Sequence, residues 1–174
     1  MLIGLIGKRG VGKTSLANDF VKELGYKKFS IADDIRTISE EIFTGISTAP
    51  KEKKFDVYEW TPREFMIDCG NFIRFYDRDY FLNRCLSRAL KADKAVIDDV
   101  RYPHEYDEIK KLGGKIIRIE RYWKYNPYKR PLNDPSETSL DRYGADYNIF
   151  KEKNISIEDL YADGEWALTT WGMK

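Results

Sequence analysis

The chain is poor in residues that build cross-linked or metal-centred folds: its 174 residues include two cysteines, Cys69 and Cys85, and one histidine, His104. Two thiols are too few for a disulfide framework, and with a single imidazole they make no zinc cluster. Net charge is also nearly absent, at +1. That balance removes the electrostatic case for wrapping DNA, RNA or an anionic membrane surface. No apolar run approaches the ~20 residues of a membrane span, and the chain opens on a strand-like segment rather than a signal peptide. Internal repeats and low-complexity tracts are missing too. At 174 residues the chain reads as one domain with a real core, and its few cysteines lead us to expect a reducing, cytoplasmic setting.

What is present begins at the N-terminus. Leu2 to Ile6 is a short apolar run suited to a buried strand, and "GKRGVGKT" follows at residues 7–14 with the spacing G-x-x-x-x-G-K-[ST]. A helical stripe of Leu16, Ala17, Phe20, Val21 and Leu24 comes next, ended by Gly25. Strand, glycine loop and helix together make a phosphate site. Gly7, Gly10 and Gly12 let successive N–H groups curl into an anion nest, and the helix aims its positive end there. Lys13 supplies a cation for the β- and γ-phosphates, and the Thr14 hydroxyl can ligate Mg²⁺. We therefore expect Gly7, Gly10, Val11, Gly12, Lys13, Thr14 and Ser15 to hold a nucleoside triphosphate, with Lys13 catalytic. The alternative is a glycine-rich turn that binds nothing.

Further along, "KKFSI" (27–31) reads as a second strand, and residues 32–43 as a helix with Ile35, Ile38 and Ile42 inward. Residues 44–60 read as a charged, irregular loop. Thr61-Pro62-Arg63-Glu64 then has the form of a capped helix start. Phe65, Met66, Cys69, Phe72 and Ile73 give that helix an apolar face. Another helix follows from about Asp79, with Phe81, Leu82, Cys85, Leu86, Ala89 and Leu90 apolar. "KAVIDDV" (94–100) and "KIIRIE" (115–120) are strand-like and flank a helix opened by Pro103. "DYNIF" (146–150) is a last short strand, and Ser156 caps a final helix through about Leu160. Strands alternating with helices predict an α/β, three-layer αβα fold around a parallel sheet. Ligands of such sheets bind at the carboxyl ends of the strands, where the loop 7–14, Asp33, Asp98, Asp99 and Arg101 all emerge.

A magnesium–triphosphate site needs a second acid at a neighbouring strand end. Asp98 and Asp99 both follow "AVI", and alternation along an extended strand allows only one of them to face the site. A pair capping a turn is the simpler alternative. Arg101 could reach a transferring phosphoryl group or sit on the surface.

The segments "GKRGVGKT", "FSIADDIR", "REFMIDCGNFIRFYDRDYF", "VIDDVRYPHEYDEIKKLGGKIIRIER" and "DPSETSLD…ADYNIF" resemble, in order, those of phage-type deoxynucleoside monophosphate kinases. These belong to the nucleoside monophosphate kinase group of P-loop enzymes, and the resemblance covers nearly the whole chain. It implies a P-loop NTPase fold and transfer of a phosphoryl group from ATP to a deoxynucleoside monophosphate, with Mg²⁺. It also implies an inserted lid at about 121–143 and acceptor-binding helices at about 32–92. Thr14 and Asp99 match the metal positions, which favours Asp99 over Asp98. Arg101 matches the arginine of the D-V-R stretch. Asp33, Arg36 and Arg74 fall on the acceptor side, with Asp99 and Arg101 completing the substrate set. Arg101 and, from the arginine-bearing lid, Arg130 join Lys13 as catalytic cations. The partners are then small-molecule nucleotides, with no nucleic acid and no membrane; a homodimer is left open, and host cytoplasm is the setting if the chain is virus-encoded.

Two departures stand against that pattern. Ile67, Asp68 and Cys69 occupy positions where the family often carries Gln before its Gly, which bears on base selectivity. Asn133-Asp134 replaces a common His or Thr before Pro135, which bears on the lid. Arg36 and Arg74 could instead be surface or ion-paired arginines, and His104 reads as an exposed first-turn residue. Two rival functions remain: a kinase for another small acceptor, such as a sugar or coenzyme precursor, and a GTPase-type switch. "DRYG" (141–144) fits D-x-x-G, but it follows no apolar strand and the guanine-reading N-K-x-D is absent.

Overall fold

In the computed structural model the described residues are 1–55, 58–121, 135–151 and 156–174. Arg130, Tyr122, Trp123, Asn133 and Asp134 lie outside them, as does most of the segment expected to be a lid. The described residues fall into two compact units, one formed by 1–29 with 88–174 and the other by 30–87.

The first unit is built on five parallel strands: β1 (Leu2–Ile6), β2 (Lys27–Phe29), β3 (Ala95–Ile97), β4 (Lys115–Arg121) and β5 (Tyr147–Lys151). Their order across the sheet is β2-β3-β1-β4-β5. Every strand pair is parallel, with Ile3 against Val96 on one side and Lys115 on the other. β1 is buried at all five positions, as a central strand covered on both faces must be. Alternation then sorts the side chains. Ile3, Leu5, Val96, Ile117 and Ile119 join Leu16 and Phe20 of α1 (Lys13–Leu24) and Leu160 and Leu168 of α7 (Ile157–Thr170) in one core. On the opposite face Gly4 lies against Ile116 and against Ile109 of α5 (Pro103–Lys111). Helix, sheet and helix make the three layers that the alternating elements predict.

Two details of this unit differ from the sequence-based expectation. α7 continues past Leu160 to Thr170 despite Gly164 in its middle. A Cβ at Gly164 would stand 2.5 Å from Leu16 Cδ1 and 3.0 Å from the Phe20 ring, so the missing side chain is what lets α7 approach α1. Val21, expected on the buried stripe of α1, is exposed, because the stripe that meets the core is narrower than the apolar pattern.

The second unit carries α2 (Asp33–Ile42), α3 (Pro62–Tyr76) and most of α4 (Tyr80–Ala89). α3 starts as its sequence dictates: the Thr61 hydroxyl accepts from the Glu64 N–H at 3.2 Å, and the Thr61 N–H donates to the Glu64 carboxylate at 2.7 Å. Phe43, Phe55, Tyr58, Trp60 and Phe65 form an aromatic cluster with ring centroids 4.8–6.2 Å apart. The residues read as an irregular loop thus hold a small core of their own. Ile42 and Phe72 were expected to face inward and are exposed.

Candidate active site

The loop between β1 and α1 takes the conformation its glycines permit. Gly7 and Gly12 have φ of 135° and 111°, a region that side chains avoid. A Cβ at Gly7 would also stand 2.2 Å from the Ile119 carbonyl oxygen, so only glycine lets the loop pass this close to β4. Gly12 precedes α1 directly, so the helix N-terminus faces the nest.

Lys13 is buried and folds back over the loop, its Nζ donating to the carbonyls of Gly7 at 2.5 Å and Lys8 at 2.8 Å. Burial, reinforced by the nearby Arg101 charge, lowers its pKa from the ordinary lysine value to about 7, with Glu137, Asp99 and Asp98 pulling the other way. An ammonium held so close to losing its proton is poised to gain from an incoming anion.

Two carboxylates follow β3 directly, at Asp98 and Asp99. The pairing of β3 with β2 runs one step past the strand end, where the Asp98 N–H donates to the Phe29 carbonyl at 3.1 Å. Asp98 is buried, and its carboxylate accepts from the Thr14 hydroxyl at 2.8 Å. The family-based preference names Asp99; the Thr14 hydroxyl donates to Asp98, and the charges of both aspartates act on Lys13. A hydroxyl and a carboxylate side by side are the hard oxygen donors that suit Mg²⁺, which keeps several waters and needs few protein ligands. No cluster of three or more histidine, cysteine, aspartate or glutamate side chains suited to a metal occurs among the described residues.

Arg101 is fixed from two directions. Its backbone N–H and that of Tyr102 both donate to the buried Glu105 carboxylate, at 2.7 and 3.0 Å. This is the reciprocal cap of α5, opened by Pro103. Its guanidinium reaches Glu137 of the short helix α6 (Pro135–Thr138), at 2.8 Å, and the Ser136 carbonyl at 3.1 Å. The other Glu137 oxygen accepts from the backbone N–H of Arg9, in the glycine loop, at 2.7 Å. Arg118 anchors the chain just beyond, donating to the carbonyls of Leu140 at 2.7 Å and Tyr143 at 2.5 Å. Gly7, Lys8, Val11, Arg101, Arg118 and Glu137 line a cavity of about 290 Å³ here.

Lys13, Thr14, Asp98, Asp99 and Arg101 thus gather in the first unit. Asp33, Arg36 and Arg74 belong to the second. There Asp33 pairs with Arg36 and accepts from the Ser30 N–H at 3.1 Å. Arg74 lies over the Phe81 ring at 5.1 Å and beside Gly70, where a Cβ would stand 2.9 Å from its Nη1. Glu105 and Glu137 escaped the sequence reading. Pro103 with Glu105 carried a helix-start signal that identifies the first. Glu137 sits in a four-residue helix without periodicity and carried none.

Comparison with known proteins gives a consistent picture. A protein of Acanthamoeba polyphaga mimivirus, whose assigned name is deoxynucleotide monophosphate kinase, is 30% identical over 187 residues, covering 93% of each chain. No family model matches the sequence. Among solved structures, shikimate kinase from Aquifex aeolicus superposes with a TM-score of 0.53 at 15% identity, over 99% of both chains. Dephospho-CoA kinase from Campylobacter jejuni gives 0.52 at 18% identity, over 97% of this chain and 96% of that one. APS kinase from Mycobacterium tuberculosis gives 0.51 at 16% identity with the same coverage. At these identities the solved structures show a shared P-loop kinase fold and nothing finer.

Proposed function

We propose, given that this chain belongs to the deoxynucleotide monophosphate kinase family and is therefore an ATP-using phosphotransferase, that its acceptor is a 2′-deoxynucleoside monophosphate. The products are ADP and the deoxynucleoside diphosphate. The observation that carries the acceptor class is the viral relative, similar over 93% of both chains.

The chain's own groups supply what the reaction asks for. The acceptor phosphate is already ionised at neutral pH, so no strong general base is required, and the work is alignment and charge neutralisation. In this reading the loop amides from Gly7 to Ser15 and Lys13 hold the donor phosphates. Arg101 neutralises the transferring group, and Arg130 is a further cation for the same task. Asp33, Arg36 and Arg74 bind the acceptor. Thr14 and Asp98 would hold Mg²⁺, which when bound offsets charge on the β- and γ-phosphate oxygens. Asp99 contributes its charge near Lys13.

The test is a panel: Mg·ATP with each common ribo- and deoxyribonucleoside monophosphate, following ADP formation. Turnover with one or more deoxynucleotides, dTMP and dGMP first, is expected. Turnover only with a sugar or coenzyme precursor would replace this reading with a neighbouring kinase activity.

A further inference from the structure

Glu137 is an anion placed where the loop is built to receive one. One carboxylate oxygen accepts from a backbone N–H of the glycine loop, at Arg9, and the other from the guanidinium of Arg101. Its side chain is only 8% exposed, and its charge acts on Lys13. A loop N–H, a guanidinium and a nearby ammonium are the donors that a terminal phosphate group uses in such a nest. A carboxylate with one oxygen on the loop N–H and the other on the guanidinium satisfies those two donors in the same way.

We propose that Glu137 is a built-in competitor for the phosphate cradle, which a triphosphate must displace in order to engage Arg9 and take over Arg101. The inference rests on the kinase reading of the loop and adds its regulation. Glu137 stands in the cradle at a cost to nucleotide affinity. In return, Arg101 stays paired and oriented until phosphate arrives. Nucleotide binding and the release of Arg101 toward the transferring group then become one event. Arg118 holds the neighbouring segment at Leu140 and Tyr143, so the displacement is a local movement of α6 against a fixed anchor.

Glu137→Gln removes the competing charge while keeping the size of the side chain. Dissociation constants are measured for ATP, for inorganic tripolyphosphate and for adenosine, with no acceptor present. The variant is expected to bind ATP and tripolyphosphate roughly tenfold more tightly, the scale of one charge-assisted hydrogen bond no longer contested. Adenosine affinity is expected to stay as in the wild type, because it brings no phosphate. Glu137→Asp, which keeps the charge but withdraws it by one methylene, is expected to tighten phosphate binding less. It also serves as the second variant should Glu137→Gln melt early. Unchanged or weaker tripolyphosphate binding in a folded variant would overturn the proposal and make Glu137 a brace for Arg101. Since no acceptor is present, such a failure leaves the kinase reading intact, and a failed acceptor panel leaves this measurement intact.

Discussion

Thr14 and Asp98, 84 positions apart in the chain, meet through a 2.8 Å hydrogen bond from hydroxyl to carboxylate. The contact joins the start of α1 to the end of β3 and depends on β3 lying directly beside β1. The sheet order thus brings the two acids that follow β3 beside the glycine loop.

A metal experiment separates the two acids. Asp98→Asn is expected to raise the Mg²⁺ concentration for half-maximal rate by about tenfold or more, since one charge-assisted ligand is lost. Asp99→Asn is expected to change it by less than about threefold. Titrating Mg²⁺ against both variants at saturating ATP decides the matter, and the reverse order would return the role to Asp99.

Lys13 makes a pH-dependent prediction. Its pKa is about 7 in the folded chain, against 10.5 ordinarily, so between these values the unfolded chain carries a proton that the folded chain lacks. Stability from this group therefore rises with pH across that window, and its charged form costs stability below about 7. A triphosphate reverses the balance by favouring the ammonium. ATP binding at pH 8 is thus expected to take up protons, seen as a dependence of calorimetric heat on the buffer's ionisation enthalpy. Lys13→Met is expected to abolish that part of the uptake; equal uptake in both proteins would contradict the assignment.

The α1–α7 contact gives a stability test. Gly164→Ala gains up to ~1 kcal/mol of helix propensity but forces a methyl group against Leu16 and Phe20, both buried, and overpacking costs ~1–3 kcal/mol. A net loss is expected in denaturant unfolding. Gly144→Ala, where an added Cβ meets nothing within 4 Å, is expected to stay within about 0.5 kcal/mol of the parent. Equal stability of the two variants would mean that α7 can shift away from α1 without cost.

Much of this was legible in the residues because the information was local. The loop at 7–14, the capping pair Thr61 and Glu64 and the buried run of β1 each declare themselves within a few positions. α7 did not, since Gly164 looks like a helix breaker until α1 is seen to need its space. That Asp98 accepts from the Thr14 hydroxyl depends on how the chain leaves β3, which two adjacent identical side chains cannot reveal. Glu137 was invisible for the same reason at longer range: only the folded chain carries it to Arg9, 128 positions away.

The most direct test of the central claim follows the phosphoryl group itself. ATP labelled at its γ-phosphate is mixed with Mg²⁺, the protein and equal amounts of a deoxynucleoside monophosphate and its ribo counterpart, and the labelled products are separated. A pocket that packs an apolar group against C2′ leaves a ribose hydroxyl unpaired, at about 1–3 kcal/mol, roughly ten- to a hundredfold in preference. The account predicts label in the β-position of the deoxynucleoside diphosphate, in that excess over the ribonucleotide. Label released only as inorganic phosphate, or transferred to neither nucleotide across all bases, would contradict it.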